Sequence, residues 1–568
     1  MAEREFPRRF VRADERLDSW ESIAPYMDRL RDRALDTPQA IERWLCDYSE
    51  LAAAVMEVGT DRYVKMTCQT DDPQRKAAYM DFIETVEPNW KRRAHELNVK
   101  YAESPASRQL ARERYFVLDR SLRASVEIFR DQNVPLQTEE AKLEQQYQEI
   151  SGAQTVHFDD KEQTLQRLAL YSERTDRAVR QAAWEVEWSR RLEDVDKLED
   201  IFDQLVALRH RMALNADCRD YREYAFKSKQ RFDYAPQDCI AFHDAVERAT
   251  VPLLRELQRQ RQTSLAVDRL RPWDLAVDPK GRPPLRPFAT AVELCGKASR
   301  VFHRVDSALG AQFDEMNAKG YLDLDSRKGK APGGYQSTYE EARHPFIFMN
   351  AVGVQRDVST LIHEGGHAFH AQACRHEPLL SYRSSPIEFA EVASMGMEML
   401  ALDYLGEFYS PDDQLRAKRT ELESLIGLFP WVATIDAFQH WIYTNPGHSR
   451  DDRRREWLRL HERFGGIADF GGYDRALAYR WHKQLHLFQV PFYYIEYGIA
   501  QLGAMQVWRN TKRGRQAATA RYRQALALGG SRPLPELFAT AGANFDFSDA
   551  TLGPLMESVR EELETLPA

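Results

Sequence analysis

The stretch DVSTLIHEGGHAFH, residues 357–370, decides the fold around it, because it contains an HExxH motif in a helical context. Residues four apart on a helix lie nearly above one another, so His363 and His367 project from one face. Two neutral imidazoles on one face can bind zinc, and Glu364 beside them can handle protons. The motif therefore predicts a helix that carries two ligands of one zinc ion per chain, together with a general base.

The two glycines inside the motif are unusual for a helix interior. Each of Gly365 and Gly366 costs about 1 kcal/mol relative to alanine. A helix under no other demand has no use for both, and a close approach of backbone or substrate would explain them.

A third zinc ligand is expected from the helix that follows, which is predicted to begin near Pro386. Glu388, Glu391 and Glu398 lie on one side of this helix among apolar residues, and buried carboxylates are normally paired or bound to metal. Spacing favours Glu391 only weakly, with Glu388 as the alternative, whereas Glu398 is better suited to orient a histidine. His370 lies about 10 Å beyond His363 along the helix axis, so it is expected to pack beside the site rather than bind the same ion.

Composition limits the class of protein. The 568 residues exceed what a single core usually supports, so two or more domains are expected, and a content of 43% hydrophobic and 29% charged residues is typical of a soluble globular protein. The net charge of −9 argues against a nucleic-acid partner. No run of about 18 apolar residues and no apolar signal region are present, so neither a membrane partner nor secretion is expected. Six scattered cysteines without CxxC spacing indicate reduced thiols in the cytoplasm.

The distribution of glycine predicts a mainly α fold. Only Gly59 and Gly152 precede residue 266, and apolar residues recur there at helical spacing, so the first half is expected to be consecutive amphipathic helices. Residues 266–289 contain five prolines and are predicted to form an irregular connection. The apolar, aromatic-rich run at residues 345–350 is the best candidate for a strand.

Several motifs in order resemble the thimet oligopeptidase / oligoendopeptidase F family of zinc metallopeptidases. The resemblance covers most of residues 200–560 and rests on the HExxH segment and on further short segments: Phe389-Ala390-Glu391-Val392-Ala393-Ser394, Gly333-Gly334-Tyr335, Phe346-Ile347-Phe348-Met349-Asn350, Phe429-Pro430-Trp431, Asp436-Ala437-Phe438-Gln439 and Pro491-Phe492-Tyr493-Tyr494.

The resemblance implies a zincin-type, two-lobed helical metallopeptidase with a deep channel and a small β-sheet beside the HExxH helix. We expect an N-terminal helical lobe over residues 1–200 and a catalytic region over residues 201–568. The family's zinc ligands correspond to His363, His367 and Glu391, and its base corresponds to Glu364. Its histidine and tyrosines near the scissile carbonyl correspond to His486 with Tyr493 or Tyr497; Ile495 replaces a tyrosine of the family pattern and leaves open which tyrosine, Tyr494 included, acts there.

The expected function is that of a zinc-dependent endopeptidase that hydrolyses short unstructured peptides, either as a monomer or as a homodimer. Glu364 would assist the attack of a zinc-bound water, His486 and a tyrosine would stabilise the oxyanion, and residues 345–350 would pair with the substrate as an edge strand. Two alternatives are a zinc metallocarboxypeptidase, for which no anchoring arginine can be singled out, and a peptide-binding helical scaffold with a vestigial metal site. The presence of both Glu364 and Glu391 argues against the scaffold.

Overall fold

The computed structural model describes residues 5–567, and helices account for most of them. The α-helices are α1 (Trp20–Asp32), α2 (Pro38–Cys68), α3 (Pro73–Asp81), α4 (Glu87–Glu103), α5 (Arg112–Ile128), α6 (Asn133–Gly152), α7 (Leu165–Leu168), α8 (Arg177–Leu192), α9 (Val195–Asn215), α10 (Tyr221–Ser228), α11 (Pro236–Ala249), α12 (Val251–Ser264), α13 (Ala291–Val305), α14 (Ser307–Ala318), α15 (Gln355–Ala373), α16 (Ile387–Ala401), α17 (Pro411–Thr444), α18 (Arg450–Phe464), α19 (Asp474–Ala478), α20 (Leu485–Gln489), α21 (Tyr494–Leu526), α22 (Leu534–Ala541) and α23 (Asp549–Glu564).

The strands form two small sheets. β1 (Thr155–Phe158) and β2 (Lys161–Thr164) make an antiparallel hairpin. β3 (Leu322–Asp325), β4 (Tyr335–Tyr339) and β5 (His344–Ala351) make a three-stranded sheet in the order β3-β5-β4. In that sheet β5 is parallel to β3 and antiparallel to β4, with Gln336 opposite Ile347.

The described residues divide into two compact units, each assembled from three separate segments of the chain. Unit 1 comprises residues 5–127, 286–418 and 500–545. Its α1 shows how sequence spacing builds the core, since Ile23, Met27 and Leu30 recur at helical spacing and are all buried. They pack in one cluster with Trp44 of α2 and residues from α4 and α5.

Unit 2 comprises residues 128–285, 419–499 and 546–567. Its α9 buries Phe202 and Leu205 together with the whole side chain of Arg209. The Arg209 guanidinium donates to Glu140 at 2.6 Å and to the Tyr443 hydroxyl at 2.8 Å, which compensates its burial. The predicted boundary between residues 200 and 201 stays a prediction.

The predicted fold class is confirmed: the protein is mainly helical, and a small sheet packs against the HExxH helix α15. Residues 266–289 contain only one short 3₁₀ turn, Pro272–Asp274, as the prolines predicted. The strand predicted at residues 345–350 lies within β5, but its predicted position at an edge is wrong, because β5 pairs with β3 on one side and with β4 on the other. Among the described strands, the two edges of this sheet are β3 and β4.

The start of α15 is fixed by a side chain of its own first turn. The Asp357 carboxylate accepts hydrogen bonds from the backbone N–H groups of Val352, Gly353 and Val354 at 2.8, 2.9 and 3.0 Å. Gly353 has a φ of +90°, which glycine adopts without strain. The turn therefore joins β5 to α15 in a defined geometry, and this sets the direction in which the HExxH helix leaves the sheet.

None of the helices in the described part of the chain is long and apolar enough to cross a membrane.

Candidate active site

Helices α15 and α16 of unit 1 approach each other closely at Gly366. A Cβ built on Gly366 would lie 2.6 Å from the Cα of Ser394 on α16, a distance that real contacts do not reach. A Cβ on Gly365 would lie 2.6 Å from the ring of Phe302. The glycines therefore permit the close approach of backbone that the sequence indicated, and this brings the carboxylates of α16 to the histidines of α15.

The side chains of His363, His367 and Glu391 lie together. Each can offer one ligand atom so that all three atoms lie within 4.8 Å of one another. The Nε2 atoms of His363 and His367 are 3.4 Å and 3.7 Å from Oε2 of Glu391. The structure thus brings together the three side chains that were predicted to be ligands.

This spacing fits a zinc ion. Zinc–ligand bonds of about 2.1 Å in a tetrahedral site separate neighbouring ligand atoms by about 3.4 Å. Two imidazoles and one carboxylate also form the ligand set of zinc sites that leave a fourth position open. The side chains of His363 and His367 remain 26% and 20% exposed, so the set can be approached.

Glu398 determines which nitrogen of His363 faces the other ligands. Its Oε1 lies 2.5 Å from Nδ1 of His363, so Nδ1 carries a proton and Nε2 is directed toward Glu391. Burial opposes a charge on His363, but the hydrogen bond and charge of Glu398, with the charge of Glu391, raise the pKa of His363 to about 9. A metal must therefore displace the Nε2 proton at neutral pH.

The other two members of the set differ in electrostatics. Burial, with the charge of His363, holds the pKa of His367 well below its usual value, so this imidazole is neutral and available as a ligand. Burial raises the pKa of Glu391, against the nearby charge of His363. The hydroxyl of Ser394 donates to Oε2 of Glu391 at 2.9 Å and holds this carboxylate in place.

Glu364 has the environment of a group that can both accept and release a proton near neutral pH. It is 8% exposed, and burial raises its pKa to about 7, with the charge of His363 opposing and that of Glu391 adding to the rise. The backbone N–H of Gln336 in β4 donates to its carboxylate. The outer edge of β4 thus faces the side chain predicted to be the base.

His370 and Glu388 lie outside the ligand set, although both are buried. Burial lowers the pKa of His370 to about 4, so the ring is neutral and packs in the core, 3.4 Å from the hydroxyl of Ser385. The set contains Glu391 and not the alternative Glu388.

The remaining predicted residues lie in unit 2. The ring of His486 is 5.9 Å from that of Tyr493, 4.9 Å from that of Tyr494 and 6.1 Å from that of Tyr497, measured between centroids. The three tyrosines therefore surround one imidazole within this unit. Their catalytic role stays a prediction.

Unit 2 also contains a cluster that sequence reasoning missed, which we call the Asp436 cluster: Cys239, His243, Asp436 and His440. Ligand atoms of Cys239, Asp436 and His440 lie within 4.8 Å of one another. However, Arg222 donates to Nδ1 of His440 at 3.5 Å, so the proton of this ring lies on Nε2, which faces Oδ2 of Asp436 at 3.2 Å. His243 contacts the same carboxylate oxygen at 2.8 Å. Oδ2 of Asp436 thus lies near nitrogens of two imidazoles, and His243 is the one within hydrogen-bonding geometry.

A signal for the Asp436 cluster was present in the sequence. Cys239 and His243 are four residues apart on α11, and Asp436 and His440 are four residues apart on α17. Ser394 could also have been found, because it lies one turn after Glu391 on the same helix. The contact of Gln336 with Glu364 had no local signal, because it depends on the pairing of β4 with β5.

Comparison with known proteins adds the context of a family. The model of peptidase family M3 matches residues 170–556, more than half of the chain. Oligoendopeptidase F (chromosomal) of Lactococcus lactis subsp. cremoris is 24% identical over 45% of this chain and 42% of its own length. Oligopeptidase PepF of Bacillus subtilis strain 168 is 24% identical over 42% of this chain and 36% of its own length. The chain thus spans less than half the length of these curated relatives.

The similarity to solved structures extends over nearly the whole chain. The structure of PZ peptidase A with inhibitor 2 aligns with a TM-score of 0.89 and 25% identity over 98% of this chain and 99% of its own length. The family resemblance seen in the motifs is confirmed by these matches. With a histidine–glutamate set on α15 and α16 inside the matched region, the chain belongs to peptidase family M3.

Proposed function

We propose that the protein is a zinc-dependent endopeptidase that hydrolyses short unstructured peptides. The observation that carries this proposal is the position of Glu364, a buried carboxylate with a pKa near neutrality, on the same helix as two residues of the His363–His367–Glu391 set. A carboxylate next to such a set is the arrangement in which a zinc-bound water and a general base together attack an amide.

In this proposal His363 and His367 bind zinc through imidazole nitrogens and Glu391 binds it through its carboxylate. When bound, zinc lowers the pKa of a water molecule and polarises the substrate carbonyl. Glu398 keeps the proton of His363 on Nδ1, and Ser394 restrains Glu391, so both ligands are oriented before substrate arrives.

Glu364 moves the proton. As a carboxylate it accepts a proton from the attacking water, and it then donates this proton to the nitrogen of the leaving amine. Burial raises the pKa of Glu364, which favours the protonated form that delivers the proton to the amine.

As the family resemblance implies, His486 and either Tyr493 or Tyr497 would donate hydrogen bonds to the carbonyl oxygen as it becomes negative. The hydroxyl of Tyr494 contacts Trp431 and Gln484.

The strand that pairs with the substrate backbone is β4, in place of β5. Gln336 of β4 directs its N–H to Glu364, so this edge of the sheet runs beside the base. An extended peptide added along the edge would present its carbonyl groups to the same helix. The names oligoendopeptidase and oligopeptidase of the relatives support peptides as the substrate class.

The test is the variant Glu364→Gln, assayed with a fluorescence-quenched peptide that is blocked at both ends. Loss of the proton acceptor is expected to lower kcat/KM by about 1,000-fold. Zinc content, measured by atomic absorption, is expected to remain at one ion per chain, because Glu364 is not a ligand. Chelation of the wild-type protein should abolish cleavage, and zinc should restore it.

The control is Glu388→Gln, which changes a buried carboxylate of α16 outside the ligand set and should keep its zinc. Undiminished cleavage by Glu364→Gln would contradict the role of Glu364. Cleavage only of peptides with a free C-terminus would favour the carboxypeptidase alternative, and an inactive wild-type protein with full zinc content would favour the scaffold.

A further inference from the structure

The amide of Gln484 connects the indole of Trp431 to the ring of His486, all within unit 2. Nε1 of Trp431 lies 3.0 Å from Oε1 of Gln484, and Nε2 of Gln484 lies 2.6 Å from Nδ1 of His486. Trp431 belongs to α17, whereas Gln484 immediately precedes α20, which carries His486. The three groups form one chain of hydrogen bonds across two elements.

The polarity of this chain follows from its first member. An indole N–H can only donate, and Nε1 of Trp431 lies 3.0 Å from Oε1 of Gln484, so this amide oxygen accepts, while the hydroxyl of Tyr494 also contacts both groups. The amide nitrogen, which also can only donate, then faces His486. The Nδ1 atom of His486 therefore accepts, and the proton of the neutral ring lies on Nε2.

The surroundings keep the His486 ring neutral. Burial, together with the charge of Lys229, lowers the pKa of His486 to about 4. An imidazolium would carry a proton on Nδ1 as well, directed at the amide nitrogen of Gln484. The neutral ring with its proton on Nε2 is the form that fits.

We propose that Gln484 and Trp431 are positioning residues that fix His486 as the neutral Nε2–H tautomer and thereby make it a hydrogen-bond donor to the developing oxyanion. This inference rests on the proposed function for its catalytic consequence, but the tautomer itself does not depend on that function. Both residues act through His486.

The informative variant is Gln484→Glu, which has nearly the same shape. A carboxylate beside Nδ1 accepts where the amide donated, so Nδ1 is expected to become protonated. At a pH above the raised pKa of the variant ring, Nε2 loses its proton and becomes an acceptor, so the comparison with wild type is made at that pH. Loss of an oxyanion donor is expected to lower kcat by about 100-fold, with KM and zinc content unchanged.

The tautomer is read directly by NMR of protein labelled with ¹⁵N-histidine, with the His486 signals assigned through their absence from His486→Gln. Wild type should show protonated Nε2 and unprotonated Nδ1, and Gln484→Glu should show a proton on Nδ1. Trp431→Phe removes the donor that orients the amide and should give a mixture of tautomers. Trp441→Phe, a change of the same kind on the same helix, should leave the His486 signals as in wild type.

A wild-type ring with its proton on Nδ1 would overturn the inference. So would a Gln484→Glu variant that shows the altered tautomer but keeps the wild-type kcat, since His486 would then not act as the donor. If the wild-type protein cleaves no peptide while its His486 carries the Nε2 proton, the proposed function fails and the assignment of the tautomer stands.

Discussion

The His363–His367–Glu391 set of unit 1 and the Asp436 cluster of unit 2 contain the same kinds of side chain but differ in the group that faces Nδ1 of a histidine. In the first, Nδ1 of His363 faces the carboxylate of Glu398 at 2.5 Å. In the second, Nδ1 of His440 faces the guanidinium of Arg222 at 3.5 Å. The acceptor holds a proton on Nδ1 of His363 and leaves Nε2 for the ligand set, whereas the donor leaves the proton of His440 on Nε2, which lies 3.2 Å from Oδ2 of Asp436.

The difference teaches that residue type and spacing do not define a metal site by themselves. The partner of the second ring nitrogen decides whether an imidazole presents a lone pair or a proton to its neighbours. Access differs as well: the side chains of His363 and His367 are partly exposed, whereas Cys239 and Asp436 are fully buried. The set in unit 1 is suited to an ion and a substrate, and the cluster in unit 2 is suited to holding α11 against α17.

The largest expected effect on stability comes from removing the charge of Asp436, and the same change at Glu391 is the comparison. Asp436→Asn should lower the free energy of unfolding by about 3 kcal/mol, because His243 and His440 lose a buried charged partner. Glu391→Gln in the presence of chelator should lower it by less, about 1 kcal/mol, because the burial that raises the pKa of Glu391 offsets part of what its charge gains near His363. Urea denaturation at pH 7 measures both.

The pH dependence sharpens this first comparison. Burial raises the pKa of Asp436, but His440 and His243 outweigh it and hold the pKa well below its usual value. The contribution of the carboxylate is therefore present above the unfolded pKa of about 3.9 and lost as the pH falls below it. The difference in free energy of unfolding between wild type and Asp436→Asn should therefore shrink on acidification. If Asp436→Asn and Glu391→Gln lower the free energy of unfolding by the same amount at pH 7, the contrast between the two sites is contradicted.

A smaller effect is expected from Gly366→Ala, which disturbs the contact of α15 with α16. The added Cβ must push against backbone at Ser394, so we expect a loss of about 2 kcal/mol in the free energy of unfolding. Zinc affinity should fall with it, because the helices carry ligands on both sides of the contact. Differential scanning calorimetry and competition with a chelator measure the two effects.

The matched control for this change is Gly427→Ala, in the interior of α17. A Cβ there meets nothing within 4 Å, so the higher helix propensity of alanine should raise stability by up to about 1 kcal/mol. If both variants are equally stable, the close helix contact is not what requires glycine at position 366.

The smallest effect is expected from Glu398→Gln. The amide oxygen still accepts from Nδ1 of His363, so the tautomer is kept, but the charge that supports the ring as a ligand is lost. Zinc affinity should fall by about tenfold, as is usual for a hydrogen-bond partner of a metal-binding histidine. Chelator competition measures it, with Glu315→Gln on the exposed face of α14 as a control that should bind zinc as wild type does. Unchanged affinity in Glu398→Gln would mean that the Nδ1 partner does not distinguish the two sites.

The parts of the site that could be predicted from sequence are those built by one helix or by two consecutive helices. His363, Glu364 and His367 follow from helical spacing, and the carboxylate-bearing helix after them narrowed the third ligand to a few positions. Local patterns also predicted the helices of the first half, from the helical spacing of apolar residues, and the strand within β5, from its apolar and aromatic run.

What sequence could not give depends on pairing between distant segments. The position of β5 in the sheet requires knowledge of β3, so its predicted place at an edge was wrong. Arg222 and His440 lie far apart in sequence, and no periodicity reports that their side chains meet. The Gln484–His486 contact is local, but it occurs where the chain enters the short helix α20 and no repeating pattern applies.

For anyone who diversifies this protein, the motif written HExxH offers fewer free positions than its notation implies. Position 365 faces the ring of Phe302, a side chain that can be shortened, so a larger residue there can be combined with a smaller one at position 302. Position 366 faces main chain, and no substitution elsewhere removes a main-chain atom. A mutant library should therefore vary residues 365 and 302 as a pair and leave residue 366 as glycine.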